Sequence, residues 1–370
     1  MRSNNVLGFI FAATLDDKIP ELASSRTTAS VPIGGKYRII DFDLSNMSNS
    51  GISNVGIVAK SNFQSLMDHV GSGSAYDLSK RRSNLSILPP YDGKAFSSFV
   101  ETIYNMHGYI EHCREEYVLI SQGNVITNID YTDVFDFHSK KKADITLIYK
   151  NHAIPQGYDR PITLDVDNDG KVNQIFVKPG VVDKEVFNHA YGSILIKKDL
   201  LMSEIRNAIS VNQLDVKRLL QSSLGKYSIY AYENKGYCAA ISSINDYFEF
   251  NMDLMKKEVR DELFNPQRPI YTKVRDDAPA KYGIDADVKN SLVADGCVIE
   301  GTVENCVLFR GVKIEKGAKV KNCILMQDTT VGAKAEMNFV ITDKNVTISN
   351  YRSLAGTETY PVFVNKGATV

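Results

Sequence analysis

The chain has 370 residues, 43% of them hydrophobic and 24% charged, which suffices for one large and one smaller globular unit and argues against disorder. Its formal net charge is −1, with 43 basic and 44 acidic residues. The basic residues are scattered, so the chain carries no electrostatic footprint for nucleic acid or an anionic membrane. The five cysteines (Cys113, Cys238, Cys297, Cys306 and Cys323) form no Cys-x-x-Cys pair and read as reduced thiols.

In chain order, residues 6–13 form the first strand-like run, too short to span a bilayer and without the charged start and cleavage site of a signal peptide, so a cytoplasmic protein is expected. Further apolar runs of strand length lie at 55–59, 117–121, 145–149 and 192–196, with helical periodicity between several of them, as in 99–113. Such alternation predicts βαβ units and a mainly parallel sheet covered by helices, with ligands at the carboxyl ends of its strands. A helical stretch over 244–263 ends at Asn265-Pro266, and Arg268-Pro269 follows, which reads as a linker over 265–283. The large α/β domain is therefore assigned to 1–264.

Beyond the linker the helical period disappears. Short β-branched segments recur roughly every six residues, punctuated by Gly296, Gly301, Gly311 and Gly317. In Gly311-Val-Lys-Ile-Glu-Lys / Gly317-Ala-Lys-Val-Lys-Asn, Ile314 and Val320 fall at matching places and point into one stack. A parallel β-helix over 284–370 is predicted, because short rungs bury their apolar column only by stacking. The period blurs over 323–332, and the tail 351–370 shows no clear repeat.

Against this frame, the run Val31-Pro-Ile-Gly-Gly-Lys-Tyr-Arg-Ile-Ile-Asp-Phe-Asp-Leu-Ser-Asn-Met-Ser-Asn-Ser-Gly-Ile52 closely resembles the ADP-glucose pyrophosphorylases (glucose-1-phosphate adenylyltransferases), which join glucose 1-phosphate to ATP for glycogen and starch. Tyr247-Phe-Glu-Phe-Asn-Met-Asp-Leu254 and Val298-Ile-Glu-Gly-Thr-Val-Glu-Asn305 extend the resemblance to the helix before the linker and to the β-helix. The resemblance implies a Rossmann-like nucleotidyltransferase domain followed by a left-handed parallel β-helix.

The departures fall on the family's chemical groups. Active members carry a glycine- and arginine-rich loop whose backbone N–H groups cradle the triphosphate; here the stretch is Phe11-Ala-Ala-Thr-Leu-Asp-Asp-Lys-Ile19, and two carboxylates, Asp16 and Asp17, stand where phosphate is expected. The family's Arg-Ala-Lys-Pro-Ala reads Arg26-Thr-Thr-Ala-Ser30, so Thr28 replaces a phosphate-contacting lysine. Arg26 and Arg38 remain, as either an anion or effector site or surface ion pairs. Ser97-Ser-Phe-Val100 keeps nothing of the family's Gly-Thr-Ala-Asp. Asn124 in Gln122-Gly-Asn-Val125 and Ala240 in Cys238-Ala-Ala-Ile-Ser-Ser243 occupy the places of the family's two Mg²⁺-binding aspartates. A hard cation wants anionic oxygen, so no metal and no catalytic residue are expected on this chain.

The sugar-phosphate half is better kept. Lys178, in Ile175-Phe-Val-Lys-Pro179, matches the family lysine that holds the phosphate of glucose 1-phosphate, although Val177 replaces its glutamate; Tyr191, Gly192 and Ser193 resemble the family's Ser-x-Gly before a strand. Among the six histidines, His107 and His112 miss the i, i+4 face, and none is placed as a catalytic base. The resemblance implies a regulatory, catalytically impaired subunit that assembles with a catalytic subunit, to which Mg²⁺ belongs, in a heterotetramer, with a sugar phosphate as effector. Two rival readings are a free-standing, weakly active nucleotidyltransferase using Asp41 or Asp43 for metal, and a sensor of a sugar phosphate or nucleotide.

Overall fold

A computed structural model of the chain describes residues 3–13, 16–79, 83–89, 98–152, 162–177 and 186–370. Lys178, and Ser97 of the expected nucleotide motif, lie outside the described residues.

The first domain is built on a nine-stranded sheet. Its strands are β1 (Val6–Phe11), β2 (Asn54–Val58), β3 (Asn84–Leu88), β4 (Tyr117–Gln122), β6 (Ile145–His152), β7 (Ile162–Val166), β8 (Val172–Val177), β9 (Phe187–Lys197) and β10 (Ile229–Glu233). A separate pair is formed by β5 (Val125–Thr127) and β11 (Cys238–Ala240). The order along the sheet is β8-β7-β9-β4-β1-β2-β3, with β6 on β9 and β10 on β6. Neighbours β3, β2, β1 and β4 run parallel, as do β6 and β10; β9 inserts antiparallel between them.

The parallel centre follows from its residues. β1 is buried at every position, and alternate side chains enter opposite cores: Leu7, Phe9 and Phe11 meet Ile103 and Met106, while Val6 and Ile10 meet Ile40, Leu44 and Met47 of α1 (Ile39–Asn49). A strand that is apolar on both faces needs helices on both sides, and the crossovers supply them. The other helices used below are α2 (Tyr131–Lys141), α3 (Ile244–Asp253) and α4 (Lys257–Leu263). The two expected long helices each break once: 99–113 at Met106, and 244–263 after Asp253.

The second domain is the left-handed β-helix. Three parallel five-stranded sheets stack its coils, beginning with Lys281–Tyr282, inside the stretch expected to be linker. Val303, Val320, Met337 and Leu354 lie in register, one above another. Ile314 and Val320 both enter its apolar column, as their spacing predicts. The blurred stretch 323–332 still supplies rungs at Ile324–Leu325 and Thr330–Val331, and the tail continues the stack through Ser353–Ala355 and Val362–Val364.

One corner of the coils carries an asparagine ladder. Asn290, Asn305 and Asn322 have positive φ, which asparagine tolerates better than most residues, and each carboxamide Nδ2 donates to the next Oδ1, at 2.7, 3.2 and 2.9 Å, ending at Asn338. The middle strands of the third sheet are buried on both faces: Leu308 and Leu325 point into the column, while Val307, Ile324 and, just past its strand, Met326 pack on Phe248, Phe250 and Leu254 around α3. That shared apolar layer joins the two domains.

Candidate functional site

β1 and β4 end side by side, Phe11 opposite Gln122, at the carboxyl ends of the parallel strands, where sheets of this kind hold their ligands. Gly123 N donates to Phe11 O at 2.9 Å, and a Cβ at Gly123 would lie 2.8 Å from that oxygen, so only glycine fits. Asn124 follows, 5% exposed. Antiparallel pairing of β5 with β11 sets Ala240 opposite Val125, and Ile241 N donates to Asn124 O at 2.8 Å. Positions 124 and 240, more than a hundred residues apart in sequence, therefore meet in the fold.

Their chemistry does not suit a divalent cation. The Asn124 carboxamide turns its NH₂ to Ile241 O at 3.2 Å, and Ala240 presents only a methyl. Two such positions supply no anionic oxygen for Mg²⁺, which demands a near-ideal shell of hard donors. Of the carboxylates of the rival reading, Asp41 is fully engaged and Asp43 is buried with one oxygen bonded. Asp41 is fully buried and accepts from His69 Nε2 and Tyr76 OH, each at 2.6 Å, and from Arg38 N at 2.9 Å. Asp43 is also buried, hydrogen-bonded by Ser121 Oγ, and burial pushes its carboxyl up to about 7. The histidines are structural: His138 bonds Thr146 Oγ1 at 2.8 Å, and the Nδ1 atoms of His107 and His112 meet carbonyls of their own turns.

Where the phosphate loop is expected, the two carboxylates behave differently. Asp16 folds inward, and its Oδ1 accepts from Thr28 N–H at 2.8 Å and Thr28 Oγ1 at 2.7 Å. Burial raises its pKa, opposed by those two hydrogen bonds. An anion already occupies the N–H at Thr28. Asp17 is exposed and pairs with Lys60 at 3.2 Å.

The sugar-side residues sit on a bulge. The β9–β6 register shifts between Ala190 and Ile194, which spans Tyr191, Gly192 and Ser193; Gly192 has φ +89°, and a Cβ there would lie 2.7 Å from Gln122 Cγ. Tyr191 is built into a ring cluster. Its hydroxyl meets His152 Nε2 at 2.5 Å, its ring lies 4.4 Å from that of His189, and burial drives His189 down to about 3. Nearby Cys238 is pushed up to about 12 by burial, which disfavours its thiolate.

The two arginines part company. Arg26 is neither a surface ion pair nor an open anion site. It is 2% exposed, and its guanidinium donates to both Asp343 oxygens, at 2.7 and 2.9 Å, across the domain boundary. The apolar layer around it explains this: a cation buried there requires a matched anion. Arg38 does line an opening between the domains, of about 40 Å³, together with Lys36, Lys273, Arg275, Arg310 and Lys344 and no carboxylate. Arg38 bonds Ser65 O at 2.6 Å and Ser65 Oγ at 2.8 Å. Burial first, and then the charges of Arg38 and Arg26, lower Lys344 to about 8; Arg38 itself falls to about 10 for the same leading reason. Lys36 lay within the quoted motif, but Lys273, Arg275, Arg310 and Lys344 come from the linker and separate coils, with no spacing that announces their convergence.

A mixed α/β sheet joined to a parallel β-helix defines the class of sugar-nucleotidyltransferase scaffolds. The nucleotidyl transferase family model matches residues 17–257, and the GlmU-like C-terminal hexapeptide model matches 277–358. The chain is 33% identical to the glycogen biosynthesis protein GlgD of Bacillus subtilis, over 99% of this chain and 97% of that protein. It is 38% identical to GlgD of Geobacillus stearothermophilus over 86% and 83% of the two chains, and 34% identical to the glucose-1-phosphate adenylyltransferase of Clostridium perfringens SM101 over 90% and 87%. The chain belongs to the nucleotidyl transferase family, within the group that contains GlgD and the glucose-1-phosphate adenylyltransferases. Among the described residues, no helix is long and apolar enough to cross a membrane.

Proposed function

We propose that this chain is a regulatory, catalytically impaired subunit of glucose-1-phosphate adenylyltransferase, which assembles with a catalytic subunit as a heterotetramer and modulates its synthesis of ADP-glucose for glycogen. The observation that carries the reading is the meeting of Asn124 and Ala240. The fold still brings the two positions together, but neither side chain there is anionic. Nucleotidyl transfer depends on metal charge at the phosphates, and a scaffold without that charge retains binding and shape but loses the dominant catalytic term. The Asp16–Thr28 contact works in the same direction, because it places a carboxylate against a backbone donor.

The basic opening between the domains gives regulation a physical seat. Six cations line it with no carboxylate among the lining residues, although Arg310 already pairs with Asp277 at 3.5 Å; at about 40 Å³ it has room for a phosphate group and not for a sugar, so the phosphate end of an effector is what it would grip. Because Arg38 stands on the first domain and Lys344 on the β-helix, an anion held there bears on how the domains sit together.

The test is ADP-glucose formation from ATP and glucose 1-phosphate by this chain alone, by a catalytic subunit alone, and by the two mixed. Silence alone with a changed rate or substrate affinity in the mixture is expected. Strong magnesium-dependent turnover by the isolated chain overturns the proposal.

A further inference from the structure

A larger opening lies at the outer edge of the sheet, beside β10. It is bounded by α2, the carboxyl end of β10, the turn 166–170 and Arg268 of the linker, and its volume of about 710 Å³ falls within the roughly 300–1,000 Å³ of small-molecule sites. Being at the carboxyl ends of β6 and β10, it receives residues from both faces of the sheet: Tyr232 from one, Tyr149 and Glu233 from the other.

Three properties narrow what it holds. First, Phe137, Tyr149 and Tyr232 line it half-buried, and Phe137 and Tyr232 meet edge to face at 5.6 Å and 70°. Second, its five carboxylates and four cations nearly cancel. Asp130 caps α2 through Thr132 N at 2.9 Å and Lys141 pairs with Asp169 at 3.4 Å; burial first, and then the charges of Asp133 and Glu233, raise the pKa of Tyr232 and Tyr149 respectively. Such a lining suits neither a phosphate, which meets carboxylates, nor a polycation, which meets lysines.

Third, hydrogen-bond acceptors stand beside the rings: Asp133 is exposed and Glu233 half-buried, and both line the opening with Tyr232 and Tyr149. Carboxylate oxygens accept from hydroxyls. Asn128 belongs to the wall itself, its amide donating to Leu263 O at 2.8 Å and Arg268 O at 2.9 Å.

We propose that this opening binds a short neutral oligosaccharide. A pyranose has apolar C–H faces and a rim of hydroxyls; its faces match Tyr232 and Tyr149, and its hydroxyls match the acceptors Asp133 and Glu233. The site is separate from the basic opening between the domains and takes an uncharged ligand where that one takes an anion.

The test is calorimetric titration of the full chain with maltoheptaose, and separately with inorganic phosphate, for the native protein and for Tyr232→Ala and Asp133→Ala. Saturable maltoheptaose binding is expected, weakened about tenfold by Tyr232→Ala, the equivalent of one lost ring contact, and severalfold by Asp133→Ala, with phosphate binding unchanged in both. Asp133 is exposed, so its substitution reports even where Tyr232→Ala fails to fold. Absence of saturable maltoheptaose binding at millimolar concentration, equal affinity in the folded variants, or phosphate binding that depends on Asp133 or Tyr232 overturns the proposal.

Discussion

Asp343→Ala should be among the most damaging single substitutions available in this chain. The Arg26 guanidinium and the Asp343 side chain are each 2% exposed, and two hydrogen bonds of 2.7 and 2.9 Å join them. The remaining Arg26 partners are weak: Leu22 O at 3.4 Å and the Met326 sulfur at 3.9 Å. Removing the carboxylate leaves a buried cation facing one carbonyl and one thioether, and breaking a buried pair in this way costs about 3–5 kcal/mol. Removing both charges together, as Arg26→Leu with Asp343→Leu, leaves no uncompensated charge and should cost less than either single change. Urea unfolding at fixed protein concentration, followed by far-ultraviolet circular dichroism, measures all three variants. A loss below about 1 kcal/mol for Asp343→Ala, or a double variant as unstable as the sum of the singles, would refute the view that this pair matters through its buried charge.

Three further outcomes follow from the sites. Asp43 binds its proton more tightly folded than unfolded, so stability should fall as pH rises from about 4, the unfolded value, to about 7 and then level off; Asp43→Asn should flatten that slope in unfolding titrations. Lys344 is charged below about 8, so phosphate binding to the basic opening should weaken as pH passes upward through that value, and Lys344→Gln should weaken it at pH 7 and remove much of the pH dependence, both read by calorimetry. Asn124→Asp with Ala240→Asp should leave ADP-glucose synthesis far short of an active enzyme, because Asp16 still holds Thr28 N–H; full recovery in a magnesium titration would show that the loop has been given too much weight.

Five strands of the large sheet and the β-helix were legible because each rests on a local period, whereas the strands at 84–88, 162–166, 172–177 and 229–233 break or shorten their apolar runs with polar residues and were not. β1 is apolar at every position and so announces burial on both faces, and the spacing of Ile314 and Val320 announces one column. The helix breaks at Met106 and after Asp253 were not legible, since the apolar period runs on past both while tertiary packing turns the chain. In the site, the residue types at 124 and 240 could be read from resemblance, but their meeting depends on the β5–β11 register. Arg26 and Arg38 looked alike in sequence. What separates them is the partner that the β-helix brings: a carboxylate at Asp343 for one, and the neighbouring cations Arg310 and Lys344 for the other.

The asparagine ladder has a consequence for how this half of the molecule can change. Because every amide donates in one direction, from Asn290 toward Asn338, the column behaves as a ruler laid along the stack, marking one graduation per coil. Replacing a residue on a sheet face leaves the ruler intact. Successive graduations are 15, 17 and 16 residues apart and still fall on one line, so the ruler fixes where each coil turns this corner and not how many residues the coil spends on the way round. Extra length is absorbed at the other corners, as in the coil that pairs Val340 with Val362, while the asparagine corner keeps the stack in register.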